Sequence, residues 1–216
     1  MMPIMDIPQF VSPFRLYNLR RNPFGELTRQ ERTELAVVEV SEWVDYLQDD
    51  QAILQLIGPC GRGKTTHALA ILHALPDAQY IYLPEDKPRP KVGRHRPMVV
   101  DESQRLSGWQ LRRVLRVPGA LVLCTHTDHT RAIQRAGRSV WSINVGDDMT
   151  PNKLQKILNR RIDASRLAEG TIPQISHNHA VQLHMRFGSD VRAIEHCLYE
   201  EFQQNALKQS PWPPAE

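Results

Sequence analysis

The sequence predicts an α/β fold: a five-stranded, mostly parallel sheet with helices on both faces, followed by a small C-terminal bundle of helices. Three observations predict it. The run Gly58-Pro59-Cys60-Gly61-Arg62-Gly63-Lys64-Thr65 stands between a strand-like stretch, Ala52–Ile57, and a helix-like one, Thr66–Leu75. Further near-continuous apolar runs lie at 80–83, 98–100, 120–125 and 140–145. Such runs, separated by helical stretches, belong to strands covered on both sides. After Gly146 apolar residues recur only at helical spacing.

Taken along the chain, residues 1–25 are punctuated by proline, read as an extended segment, and end in Asn22-Pro23-Phe24-Gly25. Thr28-Arg29-Gln30-Glu31 fits a capping box, and Ala36, Val40, Trp43/Val44 and Leu47 recur behind it, which predicts a helix ahead of the first strand. The second strand, Tyr80–Leu83, is followed by a proline- and charge-rich stretch from Pro84 to Pro97 with no room for a regular helix. Met98-Val99-Val100 leads into Asp101-Glu102. A helix with Leu106, Leu111, Val114 and Leu115 inward stops at Pro118-Gly119, and the strands Ala120–Thr125 and Val140–Val145 complete the sheet. Thr150-Pro151 opens the first bundle helix, 178–187 forms the second, and the third starts near Ser189/Asp190. The boundaries expected are an N-terminal segment 1–25, an α/β core 26–148, a helical bundle 149–205 and a flexible tail 206–216.

Gly-x4-Gly-Lys-Thr is a pattern with a mechanism. Glycines allow backbone amides to turn inward toward phosphate oxygens, and the positive end of the following helix dipole adds to them. This is the phosphate-cradling P-loop, which makes a P-loop NTPase core the fold expectation. Gly58, Pro59, Cys60, Gly61, Arg62, Gly63, Lys64, Thr65 and Thr66 are the expected nucleotide-binding stretch, with no side-chain role assigned to Cys60 or Arg62. Lys64 is expected on the β- and γ-phosphates, and the Thr65 hydroxyl on Mg2+. Asp101 and Glu102 close an apolar strand, where ligands meet an open parallel sheet. Asp101 suits the magnesium shell, and Glu102 suits accepting a proton from water or orienting it.

These two motifs, with one strand between Lys64 and Asp101, resemble the AAA+ ATPases within the P-loop class that uses an additional strand and a catalytic glutamate. The resemblance implies ATP and Mg2+ as ligands and hydrolysis as the activity. It implies a polar sensor of the γ-phosphate at the end of the fourth strand, on Thr125 or His126, and a helical lid over 149–205. Gly188-Ser189-Asp190-Val191-Arg192 is similar to the lid's glycine-to-arginine motif, which brings Arg192 toward the γ-phosphate. An arginine finger acting on a neighbouring subunit would fall on Arg131, Arg135 or Arg138. Asn22-Pro23-Phe24 resembles the entry motif of compact bacterial members linked to secretion or transposition, where this segment lies against adenine and Phe24 stacks or packs.

The rest of the composition bounds partners. With 27 basic and 24 acidic residues among 216, the net charge of +3 does not announce nucleic acid, so any such partner must use local patches. Two exist: Lys87–Arg96, with Lys87, Arg89, Lys91, Arg94, His95 and Arg96, and Arg105–Arg116, with Arg105, Arg112, Arg113 and Arg116 near Trp109. They make DNA or RNA a candidate partner, beside a homo-oligomer or a protein that supplies an arginine. Three scattered cysteines, no basic leader and no apolar span of about 18 residues lead to the expectation of a cytoplasmic protein without a membrane partner. Two other functions fit the same motifs: a small-molecule or nucleotide kinase, and a nucleotide-sensing module with little turnover.

Overall fold

The computed structural model describes residues 12–86, 89–210 and 212. Its sheet is built from β1 (Ala52–Ile57), β2 (Gln79–Tyr82), β3 (Met98–Asp101), β4 (Leu121–Thr125) and β5 (Ser139–Asn144) in the order β2-β3-β4-β1-β5. Every pairing is parallel, where the sequence predicts mostly parallel. The strand that intervenes in sequence, β2, lies at the sheet edge; β4 is the strand that separates β1 from β3. Register pairs Ile57 with both Thr125 and Asn144, and Tyr82 with Asp101. Strand ends are thereby level, and the loops leaving β1, β3, β4 and β5 share one edge.

Alternation along the strands separates two cores. Ala52, Leu54, Leu56, Val99, Val122 and Cys124 pack beneath Ala68 and Ile71 of α3 (Lys64–Ala74). Ile53, Met98, Val100, Leu121 and Leu123 face Leu111, Val114 and Leu115 of α4 (Gly108–Leu115) and Ile133 of α5 (Thr130–Arg135). Gln55 is a polar exception in the middle of β1 and is fully buried. Its amide nitrogen reaches Asp128 Oδ1 at 2.9 Å, Thr130 Oγ1 at 2.7 Å and Ser142 Oγ at 2.8 Å, while its oxygen accepts the His129 N–H at 3.0 Å. The start of α5 is tied in this way to the central strand.

The predicted helix ahead of β1 is two short ones, α1 (Arg29–Glu34) and α2 (Ser41–Tyr46). The Thr28/Glu31 capping box forms as expected. The break follows from local chemistry: Val37, Val38 and Val40 are β-branched and disfavour helix, and the Glu39 carboxylate accepts the N–H groups of Val40 and Ser41, which starts a new helix.

α6 (Pro151–Ala164), α7 (His177–Phe187) and α8 (Val191–Lys208) form a third core around Phe202. The N-terminal segment belongs to it. Residues 13–17 form a 3₁₀ helix rather than an extended strand, and Phe14, Tyr17 and Phe24 all contact the Phe202 ring. The expected flexible tail is also corrected where it is described: α8 continues through Lys208, and Trp212 is buried against Phe24 and Phe202. Residues 1–11, 211 and 213–216 lie outside the described residues.

Arg138 settles one of the three arginine-finger candidates. It is buried at the edge opposite the P-loop, where its guanidinium donates to six carbonyls, those of Asp50, Gln51, Ala52, Leu115, Val117 and Gly119. It cross-links the starts of strands, and its guanidinium is occupied within the fold. Arg138→Ala should lower unfolding free energy by about 3 kcal/mol in urea titrations, because the carbonyls lose their donor. An unshifted urea midpoint would contradict this role.

Candidate functional site

The loop Gly58–Thr65 wraps over the carboxyl end of β1 because two of its glycines take conformations that other residues resist. Gly61 has φ +82° and Gly63 φ +94°, both left-handed. The loop then enters α3, with Gly63 at the helix N-cap. Lys64 is buried, and its Nζ donates to the carbonyls of Gly58 at 2.7 Å and Pro59 at 2.9 Å. The ammonium thus lies inside the loop it would share with an anion, and it needs only to exchange carbonyls for phosphate oxygens.

Asp101, only 1% exposed, is fixed from three sides. Thr65 Oγ1 donates to Oδ2 at 2.9 Å, the Tyr80 hydroxyl donates to the same oxygen at 2.8 Å, and the Glu102 N–H donates to Oδ1 at 3.0 Å. Burial, and next the Asp101 charge, push the Tyr80 phenol far above its ordinary pKa, so it remains a donor. The Arg29 guanidinium lies 4.2 Å above the Tyr80 ring and holds its orientation. Sequence reasoning did not assign Tyr80 a role; a tyrosine on the strand paired with that of Asp101 was the available signal.

Glu102 takes a left-handed backbone conformation, φ +63°, which a β-carbon makes costly by roughly 1–2 kcal/mol. The turn swings its carboxylate away from β3 and out over the P-loop edge. There its Oε2 accepts from Gln104 at 2.8 Å and lies 3.2 Å from Arg105 and 3.8 Å from His126 Nε2. Arg105 also donates to the Leu83 carbonyl at 2.6 Å and to Glu85 at 3.1 Å.

The two residues at the end of β4 part company. Thr125 is fully buried, and its hydroxyl closes its own turn, donating to the Thr127 carbonyl and accepting the Thr127 N–H, both at 2.9 Å. It does not face the cavity. His126 turns toward the P-loop instead: its Nε2 is 3.7 Å from Cys60 Sγ.

The helical bundle meets the loop directly. Arg62 hydrogen-bonds Ser189, and a β-carbon on Gly61 would fall 2.2 Å from Asp190 Oδ1 and 3.3 Å from Arg192 Cβ. Asp190 caps α8 by accepting the Ala193 N–H at 3.1 Å. Between loop and bundle lies a cavity of about 710 Å³. Its phosphate-side wall is Cys60–His67 with Glu102; its other walls come from Gly25–Leu27, Leu35–Val38, Ile157 and Arg192. Phe24 reaches this wall but is buried, with its ring in the bundle core, so it packs rather than stacks on a ligand. Arg161, which the sequence reading missed, anchors the entry segment. It donates to the carbonyls of Pro23 and Gly25 and pairs with Glu195.

A parallel sheet in this order, with a left-handed glycine loop between β1 and α3 and an acidic turn after β3, is the P-loop nucleoside-triphosphatase fold. No protein-family model and no curated protein matches the chain. Solved structures do. RuvB of Thermotoga maritima, titled a Holliday junction branch migration motor, superimposes with TM-score 0.51 at 19% identity over 86% of this chain and 64% of that one. A point variant of the same protein gives TM-score 0.56 at 14% identity, over 89% and 68%. Cdc6p of Pyrobaculum aerophilum gives 0.52 at 17%, over 91% and 67%. These likenesses show the fold, and this chain spans 64% of the RuvB chain.

Gly61→Ala should weaken binding of a fluorescent ATP analogue by about tenfold or more, since the methyl adds left-handed strain and displaces Asp190. Gly137→Ala, also left-handed but with no atom within 4 Å of its β-carbon, should leave binding unchanged. Equal losses in both would contradict the loop-to-bundle contact.

Proposed function

We propose that this chain binds ATP with Mg2+ in the cavity between P-loop and bundle and hydrolyses it as a conformational switch. The observation that carries the reading is the convergence of Lys64, Thr65 with its partner Asp101, and Glu102 at one wall, with Arg192 of the bundle against Gly61 beside them. The donor set fits the ligand: loop amides and an ammonium for phosphate, and a hydroxyl beside a buried carboxylate for a hard divalent ion. Bound magnesium would be held through Thr65 and Asp101 and would neutralise phosphate charge. Among the described residues no cluster of three or more His, Cys, Asp or Glu could hold a metal without such a ligand.

Each side chain then has a task. Lys64 leaves the Gly58 and Pro59 carbonyls to hold the β- and γ-phosphates. Glu102 orients the attacking water and takes its proton, and Gln104 and Arg105 set where its carboxylate points. His126, not Thr125, reports the γ-phosphate, because its ring alone of the two faces the P-loop. Arg192 follows the lid. The walls at Gly25–Leu27 and Leu35–Val38 receive the base. The Arg105 and Gln104 contacts hold Glu102 in a resting position, which supports slow turnover until a partner redirects it.

Arg131 and Arg135 are both exposed on α5 and are the remaining candidates for an arginine supplied to a second copy. Among the described residues no helix is long and apolar enough to cross a membrane, and we assign the protein to the cytoplasm. The exposed basic stretches make nucleic acid the favoured partner of the switch.

Phosphate release from ATP tests this reading. Glu102→Gln should lower turnover by about 10²-fold or more with ATP still bound, and Lys64→Ala should abolish binding. Release that rises with protein concentration, and falls in Arg131→Ala or Arg135→Ala, would identify the arginine acting in trans. Transfer of phosphate to an added small molecule instead of water would overturn the proposal. Tyr80→Phe should raise the Mg2+ concentration needed for half-maximal turnover by a few-fold, the value of one hydrogen bond of about 1 kcal/mol, without changing metal-free nucleotide affinity. An unchanged Mg2+ requirement would show that Thr65 and the Glu102 amide hold Asp101 alone.

A further inference from the structure

We infer that the outer face of α4, with the loop beside it, is a docking surface for single-stranded DNA. The inference deepens the nucleic-acid reading above and rests on it. α4 buries Leu111, Val114 and Leu115 against the sheet. Its opposite side presents Trp109, Arg112, Arg113 and Arg116, spaced i, i+3, i+4 and i+7, so they form one stripe. All four are exposed, Trp109 at 68%. Trp109 is a large aromatic ring open to water on a helix with no acidic residue, and the Arg113 guanidinium lies 5.7 Å over its face.

The loop after β2 extends this surface. Arg96 donates to the Val114 carbonyl near the end of α4, at 2.8 Å. Arg89 donates to the Arg105 carbonyl just ahead of it. Residues 89–96 therefore run alongside the helix, and Arg89, Lys91, Arg94 and His95 are exposed there with no carboxylate in the segment. Lys87 lies outside the described residues. Two of the cations counted from sequence are spent inside the protein: Arg96 on Val114, and Arg105 on Leu83, Glu85 and Glu102. The face that remains is a ring flanked by cations.

That chemistry selects among polyanions. An unpaired base can stack on Trp109 while its flanking phosphates meet Arg112, Arg113 and Arg116; a duplex hides its base faces and offers only phosphate. The stripe carries no side-chain acceptor for a ribose 2′-hydroxyl. The nearby amide oxygen, on Gln110, already accepts the Ser107 N–H at 2.9 Å. Single-stranded DNA is the occupant to which nothing on the surface is superfluous or missing.

Anisotropy of fluorescein-labelled oligo(dT)20, measured without ATP, tests this independently of hydrolysis, and Lys64→Ala should bind as well as the parent chain. Trp109→Ala should weaken binding about tenfold, with Trp109→Phe recovering most of it. Replacing Arg112, Arg113 and Arg116 by Ala should flatten the salt dependence by about two, at roughly 0.7 per phosphate contact. Thermal unfolding should be unchanged in all, since these side chains are exposed. Failure of oligo(dT)20 to bind, or Trp109→Ala binding like the parent, would overturn the inference while leaving the ATPase reading intact. Tighter binding of duplex DNA, oligo(U)20 or polyglutamate than of oligo(dT)20 would overturn it equally.

Discussion

The hydrogen bond from Thr65 to Asp101 is the constraint on which the site depends. It ties the first turn of α3 to the end of β3, across the intervening β4, and it does so at a carboxylate with almost no access to water. A buried charge in such a position is tolerated only if its oxygens are occupied. Here the Tyr80 hydroxyl and the Glu102 amide complete the set. The Glu102 amide is placed beside the Asp101 carboxylate by the peptide that joins the two residues, and the left-handed turn at Glu102 then re-aims the chain that follows. Lys64 is handled in the same way, its ammonium met by loop carbonyls rather than left unsolvated.

The second level of organisation joins the bundle to the loop. Arg161 is 5% exposed and connects α6, α8 and the Pro23–Gly25 backbone through one guanidinium. Asn22 adds a bond to the Tyr199 carbonyl of α8 and another to the Phe24 amide. The entry segment therefore moves with the bundle. Since the same bundle touches Gly61 and Arg62 through Ser189, Asp190 and Arg192, one body borders the cavity at the loop and at the entry segment.

The sequence made the sheet and its edge legible because both obey short-range rules. A glycine-rich loop between an apolar strand and a helix admits few structures, and continuous apolar runs specify strands covered on both faces. The capping boxes at Thr28 and Ser107 are likewise local. What stayed hidden depends on contacts between distant parts of the chain. Nothing near Arg138 in sequence distinguishes it from Arg131 or Arg135, yet six carbonyls from two distant segments, 50–52 and 115–119, converge on it. Thr125 and His126 look equivalent until the turn at Thr127 removes one hydroxyl from the cavity. The tail read as free because its prolines and polar residues predict no helix, while Trp212 finds the Phe24 and Phe202 rings.

Gln55 gives the sheet a mechanical property that an all-apolar β1 would lack. Its amide has two hydrogens for three acceptors at 2.7 to 2.9 Å, and its oxygen holds the His129 amide at the head of α5. The helix that displays Arg131 and Arg135 is thus geared to the strand that delivers the phosphate loop. A force applied to α5 by a neighbouring molecule reaches the sheet through the packing of Ile133 and, at the head of the helix, through this polar tie two residues before the strand ends, which makes Gln55 a transmission joint between the protein's flank and the edge that carries the loop.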